Sequence, residues 1–180
     1  MRSLRRLLNA GRRAAAAFAT RQDGGPAAEF ALVAPIFIVV IYATVQCAII
    51  YICNAYLETA TETAARQVLT NQATALTSSQ FQAKVCGYLP ALFNCSSIMV
   101  GLQPVSLSCS INTAAPTFNS DGTLKTSLPY QQPTAGQIGV LQVMYQWPVL
   151  GLPLGVNFAN LGNGTYLMMS TQVFRVEATQ

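Results

Sequence analysis

The chain contains no histidine, which removes the commonest general base and the commonest metal ligand. Charge is scarce too: acids and bases make up 9% of the 180 residues, against about 25% in ordinary soluble proteins. Four acids lie beyond residue 52, namely Glu58, Glu62, Asp121 and Glu177, and none recurs at a metal-site or glycosidase-like spacing. The stretch GLPLGVNFANLGNGT at 151–165 has glycines but no GKS or GKT. It does not lie between a strand and a helix, so it reads as a loop and not a phosphate cradle. These absences leave little with which to build an active site, and neither an enzyme nor a bound cofactor or metal is expected.

What the sequence has instead is apolar surface, 52% of its residues. From Phe30 to Ile52 there are 23 residues without a charge. As a helix they would extend about 35 Å at ~1.5 Å per residue, enough to cross a hydrocarbon core of about 30 Å. A core helix of a soluble protein rarely stays uncharged for so long. A removable signal peptide fits no better, because its apolar region would be shorter and no small-residue cleavage pattern closes this one before Tyr51. The Arg-Arg pairs are followed only by AAAAFAT, too short an apolar region for a twin-arginine signal.

The net charge of +4 comes from one place. Arg2, Arg5, Arg6, Arg12, Arg13 and Arg21, six of the ten bases, precede the apolar run. Beyond it Arg66, Lys84, Lys125 and Arg175 balance the four acids. The basic excess is therefore a topology signal that puts the N-terminal side in the cytoplasm and the rest of the chain outside it. It does not read as a nucleic-acid patch.

Three regions follow: a basic leader at 1–24, a long helix at 25–76 and an α+β head at 77–180. Pro26 suits a first helical turn, where its missing N–H is not needed. Pro35 should kink the helix lightly, since it leaves the Ala31 carbonyl unpartnered, and proline is tolerated within a membrane span. After the span, Leu57, Ala60, Ala64, Val68 and Ala75 fall on one helical face, with Glu58, Glu62 and Arg66 turned away from it. Glu62 and Arg66 form an i,i+4 pair worth a few tenths of a kcal/mol. With no glycine or proline at the boundary, one helix runs from lipid into the head.

A short helix is predicted at Ser79–Tyr88, capped by Thr77 or Ser78. From residue 96 the pattern becomes β. SIMVGLQPVSLSC reads as a strand interrupted by Pro104, which favours an edge position. Residues 112–136 read as a long loop. QIGVLQVMYQW and TYLMMSTQVFRVEA are the best strands, although neither alternates cleanly. The expected fold class is α+β: a long N-terminal transmembrane helix continuing into a small head with a short helix and an antiparallel sheet of about three strands.

Cys47 and Cys53, in or at the end of the span, read as small apolar filler. Cys86, Cys95 and Cys109 face an oxidising compartment, where pairing is expected. Their spacing fits no zinc site, and three cysteines allow one bond. Cys86 with Cys95 is the expected pair, tying the short helix to the first strand; Cys109 competes if the strand folds back. Asn94-Cys-Ser and Asn163-Gly-Thr match the glycosylation pattern at a rate that chance supplies.

Two stretches together resemble a known family. GGPAAEFALVAPIF, residues 24–37, resembles the N-terminal signature of TadE-like minor pilins of the bacterial tight-adherence pilus system, in which glycine, small residues, glutamate and phenylalanine lead into an apolar helix with an early proline. VMYQWPVLGLPLG and NLGNGTYLMMSTQVFRVEA are similar to the family's C-terminal region, a strand ending in aromatic-Pro and a last strand closing on Arg-x-Glu. The middle of the chain is poorly covered.

The resemblance implies a leader cut by a prepilin peptidase on the cytoplasmic face, with glutamate at position five of the mature chain. A cut between Gly24 and Gly25 places Glu29 there. The sequence departs from the pattern in having Gly25-Pro26 where alanines are usual, and a cut after Gly25 would place Glu29 at position four. Other relatives keep their leader and stay in the membrane. Glu29 and Phe30 would serve assembly, with partner pilins and an inner-membrane assembly platform as partners. Glu29 has two readings: an idle carboxylate at a helix N-terminus, or a buried charge paired with the new α-amine. The first functional expectation is a minor pilin or pseudopilin anchored in the inner membrane, with its head in the periplasm. The second is a single-pass adaptor that binds envelope partners and never enters a filament.

Overall fold

The computed structural model describes residues 25–73, 76–105, 116–149, 151, 155 and 157–178. The chain divides into two compact units, Met1–Thr44 and Val45–Gln180. The arginine-rich leader, Gly24, Ala75 and Cys109 lie outside the described residues.

The described part of the first unit is entirely helical and belongs to α1, Gly25–Leu69. Helix α1 starts with Gly25 and Pro26 and continues unbroken past Pro35. Its apolar side chains are spread around the whole circumference. Phe30 and Leu32 are 73% and 76% exposed, and Val33, Ile36, Phe37, Ile38 and Val40 are also exposed.

The second unit begins at Val45, and here α1 becomes one-sided. Gln46, Ile50, Cys53, Leu57, Ala60, Thr61, Ala64, Ala65 and Val68 are all buried, at the steps of three and four that define one helix face. The alanines let the helix backbone lie close to what it covers. The Thr61 hydroxyl donates to the Leu57 carbonyl at 2.6 Å, so its burial leaves no orphan polar group. On the far side Glu62 and Arg66 form the anticipated ion pair at 2.7 Å.

Helix α1 ends at Leu69, short of the expected residue 76. The reason is Asn71, which sits at φ 58. The Gln72 N–H donates to the Gln67 carbonyl and the Asn71 N–H to the Val68 carbonyl, at 2.9 and 3.1 Å. That is a Schellman termination with asparagine in the left-handed position usually given to glycine.

Helix α2, Ser78–Gly87, is set by a capping box: Thr77 accepts from the Gln80 N–H, and the Gln80 side chain accepts from the Thr77 N–H. Phe81 and Val85 are its buried face. A 3-10 turn at Cys95–Ser97 leads into the sheet of β1 (Ile98–Pro104), β2 (Ile138–Pro148) and β3 (Thr165–Arg175). The order is β1-β2-β3 and all pairings are antiparallel, so Pro104 ends an edge strand, as its missing N–H requires.

The muddled alternation in β2 has a physical cause. Its central residues, Val140 to Tyr145, are buried on both faces. Leu141, Val143 and Tyr145 share a core with Ile98, Val100 and Leu102 of β1, Met168 and Phe174 of β3, and Ile50, Leu57 and Val68 of α1. On the other face, Leu128 from the long loop packs over Gly101, within 3.5 Å of where a Cβ would stand. Residues 129–131 of that loop also bond the outer edge of β1, through the N–H and carbonyl of Leu102.

Candidate functional site

Gly25 opens α1 and is exposed. A Cβ there would meet nothing within 4 Å, so no packing among the described residues calls for a glycine. Glu29 follows as the fifth residue of the helix, exposed between Ala28 and Phe30. At that depth the helix dipole, which acts within the first turn, gives a carboxylate little. Among the described residues Glu29 has no ion pair. The site is therefore a carboxylate beside a helix that is apolar all round, and such a helix is stable only when surrounded by lipid or other helices. Gly25, Glu29 and Phe30 are thus brought onto the first two turns of one helix.

The head places its loops by a recurring device. Asn94 Oδ1 accepts from the Ser96 N–H at 3.1 Å and the Ser96 hydroxyl at 2.8 Å. Asn163 Oδ1 does the same with Thr165, and Asp121 Oδ1 with Thr123. The two glycosylation-like triplets are therefore Asx turns, in which the side-chain oxygen stands in for a backbone carbonyl. In Asp121 the bonds from Thr123 hold the carboxyl below the usual carboxylate range.

A cavity of about 420 Å³ opens where Asn94, Ser96, Ser97, Met99, Tyr145, Gln146, Pro148 and Thr165 meet. Its lining offers neutral hydrogen-bonding groups and no acid–base pair. Among the described residues no three His, Cys, Asp or Glu side chains gather. Behind the cavity, Asn94 N–H donates to the Tyr145 hydroxyl at 3.1 Å, and Phe93 stacks edge-on against Tyr145.

Cys86 and Cys95 are disulfide-bonded, with Cα atoms 5.5 Å apart. The bond joins the last turn of α2 to the turn before β1. Cys47 and Cys53 are free thiols on α1.

Several residues that hold the head carry no signal in the sequence. The Gln132 amide and the Tyr130 hydroxyl cap carbonyls of Ala73 and Leu76, just past α1. Gln82 bonds the Ile98 carbonyl on the β1 edge, and the Asn160 amide bonds both backbone groups of Leu167 on the β3 edge. Asn71 alone had a readable clue, since asparagine is the usual substitute for glycine at a helix C′ position.

These features define a class of protein: a small α+β unit with, among the described residues, one helix long and apolar enough to cross a membrane. Such a helix fits a single-pass anchor. Comparison narrows the class. Residues 24–66 match the family model described as TadE-like protein, which is consistent with a component of the Tad pilus. That family is structural and not enzymatic. The match takes in the glycine–glutamate motif and the packed part of α1 and stops before α2. No curated protein and no solved structure matched the chain.

Proposed function

We propose that the protein is a minor pilin or pseudopilin of a tight-adherence system, held in the inner membrane by α1 before assembly, with its head in the periplasm. The observation that carries this reading is the exposed apolar helix beginning Gly25-Pro26-Ala27-Ala28-Glu29-Phe30, inside the segment that matches the TadE-like family. A glycine that packing among the described residues does not require suits a protease needing an unhindered scissile segment. Cleavage between Gly24 and Gly25 by a prepilin peptidase removes all six arginines of the leader and leaves a new α-amine. Freed of that charge, the helix can leave the membrane for a bundle of pilin helices on an assembly platform.

Within such a bundle Glu29 would be desolvated, at a cost of several kcal/mol unless compensated. The new amine, its own or a neighbour's, is the compensating charge. Removing one member of a buried pair typically costs ~3–5 kcal/mol. Glu29→Gln is therefore expected to leave insertion and cleavage intact and to impair piliation, read by pulldown of partner pilins and by counting filaments. Wild-type piliation by Glu29→Gln would reduce Glu29 to a surface carboxylate.

A further inference from the structure

The cavity of about 420 Å³ lies where β1 and β2 stop pairing. Their last partners at this end of the sheet are Ile98 and Tyr145. At the other end the Val105 N–H donates to the Ile138 carbonyl. Backbone bonds alternate sides along a strand, so Gln146, an even number of residues from Ile138, also turns its backbone groups toward β1. Ser97 would meet them there. Its N–H goes instead to the Asn94 carbonyl, at 3.0 Å, and the Gln146 carbonyl is left without that ladder donor. The disulfide pins this departure, because Cys95, between Asn94 and Ser96 in the cavity wall, is bonded to Cys86 of α2.

The polar groups around the cavity are already held in place. The Gln146 amide donates to the Gly122 carbonyl at 2.6 Å and accepts from Asn163 at 3.1 Å. Asn94 Oδ1 is taken by Ser96, which leaves its Nδ2 to donate. The Ser96 hydroxyl has given its proton to Asn94 and the Thr165 hydroxyl has given its own to Asn163, so each of these oxygens can only accept. The Ser97 hydroxyl has no partner among the described residues and can do either. Met99 and Pro148, on one sheet face by the register of β1 and β2, add apolar surface. No carboxylate, ammonium or guanidinium lines the space, so an ion entering it would lose water without gaining a countercharge.

A fitting ligand is neutral, donates to several oxygens, accepts from an amide and lays C–H groups on Met99 and Pro148. Hydroxyl groups on a saturated ring meet all of these demands at once. We infer that the cavity is a binding site for a neutral saccharide. Its volume is within the range of small-molecule sites, and side chains fixed in advance lower the cost of ordering on binding. The inference concerns the second unit alone and does not depend on the pilin reading.

Met99 provides the probe and Met168, 1% exposed in the core shared with α1, the control. The full chain, isotope-labelled at its methionine methyl groups, is held in a phosphocholine detergent, which carries no sugar. Glucose, galactose and N-acetylglucosamine are titrated by NMR beside glucuronate and glucosamine, an anionic and a cationic counterpart. At least one neutral sugar should move the Met99 methyl signal saturably while Met168 stays still, and the charged counterparts should bind at least about tenfold more weakly. Ser97→Ala should weaken binding by up to about tenfold, as loss of one hydrogen bond does, and Ser97→Leu, which fills the space, should abolish it. The trimer of the bound sugar separates two sources: tighter binding marks a glycan chain, equal binding a free or terminal sugar, and either supports the site. Absence of a saturable Met99 shift with every neutral sugar would overturn the inference, as would a shift that survives Ser97→Leu or binding by the charged sugars alone. A response only to an acetylated tripeptide amide would give the cavity to a peptide and overturn it too. Should Ser97→Leu disturb Met168, Ser97→Ala carries the test, and undiminished binding by that variant would overturn the site.

Discussion

Between Gly25 and Thr44, α1 exposes Phe30, Leu32, Phe37 and Ile38 to its surroundings, whereas from Val45 to Leu69 it turns Ile50, Leu57, Ala64 and Val68 into a core. Both stretches are rich in apolar residues, so composition does not separate them. Period does. In the first, apolar residues follow one another around the helix, which suits an environment that is apolar on every side. In the second, Glu58, Thr59, Glu62, Thr63 and Arg66 interrupt the run on one side. The hydroxyls of Thr59 and Thr63 bond back to carbonyls four residues earlier, so that side tolerates water. One helix is thus built for two solvents, and each half can be tested by asking what it loses.

The largest effect is expected from identical truncations in the two halves. Leu57 is 0% exposed, and Leu57→Ala should cost the head about 2–5 kcal/mol, through lost burial and the cavity left behind. Leu32→Ala should shift head stability by less than about 0.5 kcal/mol, as surface changes do. Urea titration of the full chain in micelles, followed by the near-ultraviolet signal of Trp147, measures both. Comparable losses at the two positions would break the contrast.

Next comes the disulfide. Replacing Cys86 and Cys95 with serine opens a crosslink of sequence separation 9, and the entropy model gives such a loop about 2–3 kcal/mol. The loss should appear in the same titration, while membrane association through residues 25–44 stays at the wild-type level. A unit that unfolds at the wild-type midpoint without this bond would contradict the assigned pairing.

The smallest effect concerns where the helix stops. Asn71→Gly should be neutral or slightly stabilising, because glycine adopts a positive φ freely. Asn71→Val should cost about 1–2 kcal/mol, the penalty of the left-handed conformation for a side chain branched at Cβ. Equal stability of the two variants would mean that the Schellman turn does not end α1.

Much of this contrast could be read before the structure. The uncharged run, the one-sided pattern around Leu57 and Val68, the edge position implied by Pro104 and the cap at Thr77 all follow from local rules. The helix stops at Leu69, short of residue 76, because Asn71 takes the left-handed conformation. The faces of β2 were illegible for another reason: burial on both sides erases period-two alternation, and the cover on its outer face comes from a loop with no regular pattern of its own. The contacts of Gln132, Gln82 and Asn160 depend on tertiary approach, and no spacing in the chain announces them. At the N-terminal site, Gly25, Glu29 and Phe30 were legible as a motif. The helix adds that Glu29 lies past the first turn and that Gly25 meets no packing among the described residues.

The central claim is that the first half of α1 is built to leave its leader behind and join other helices. Intact-mass and N-terminal peptide analysis of the chain, purified from cells that contain the prepilin peptidase, tests it most directly. A mature chain starting at Gly25, with Glu29 at position five, is expected; recovery of the chain with Met1 and its arginine-rich leader still attached would contradict it.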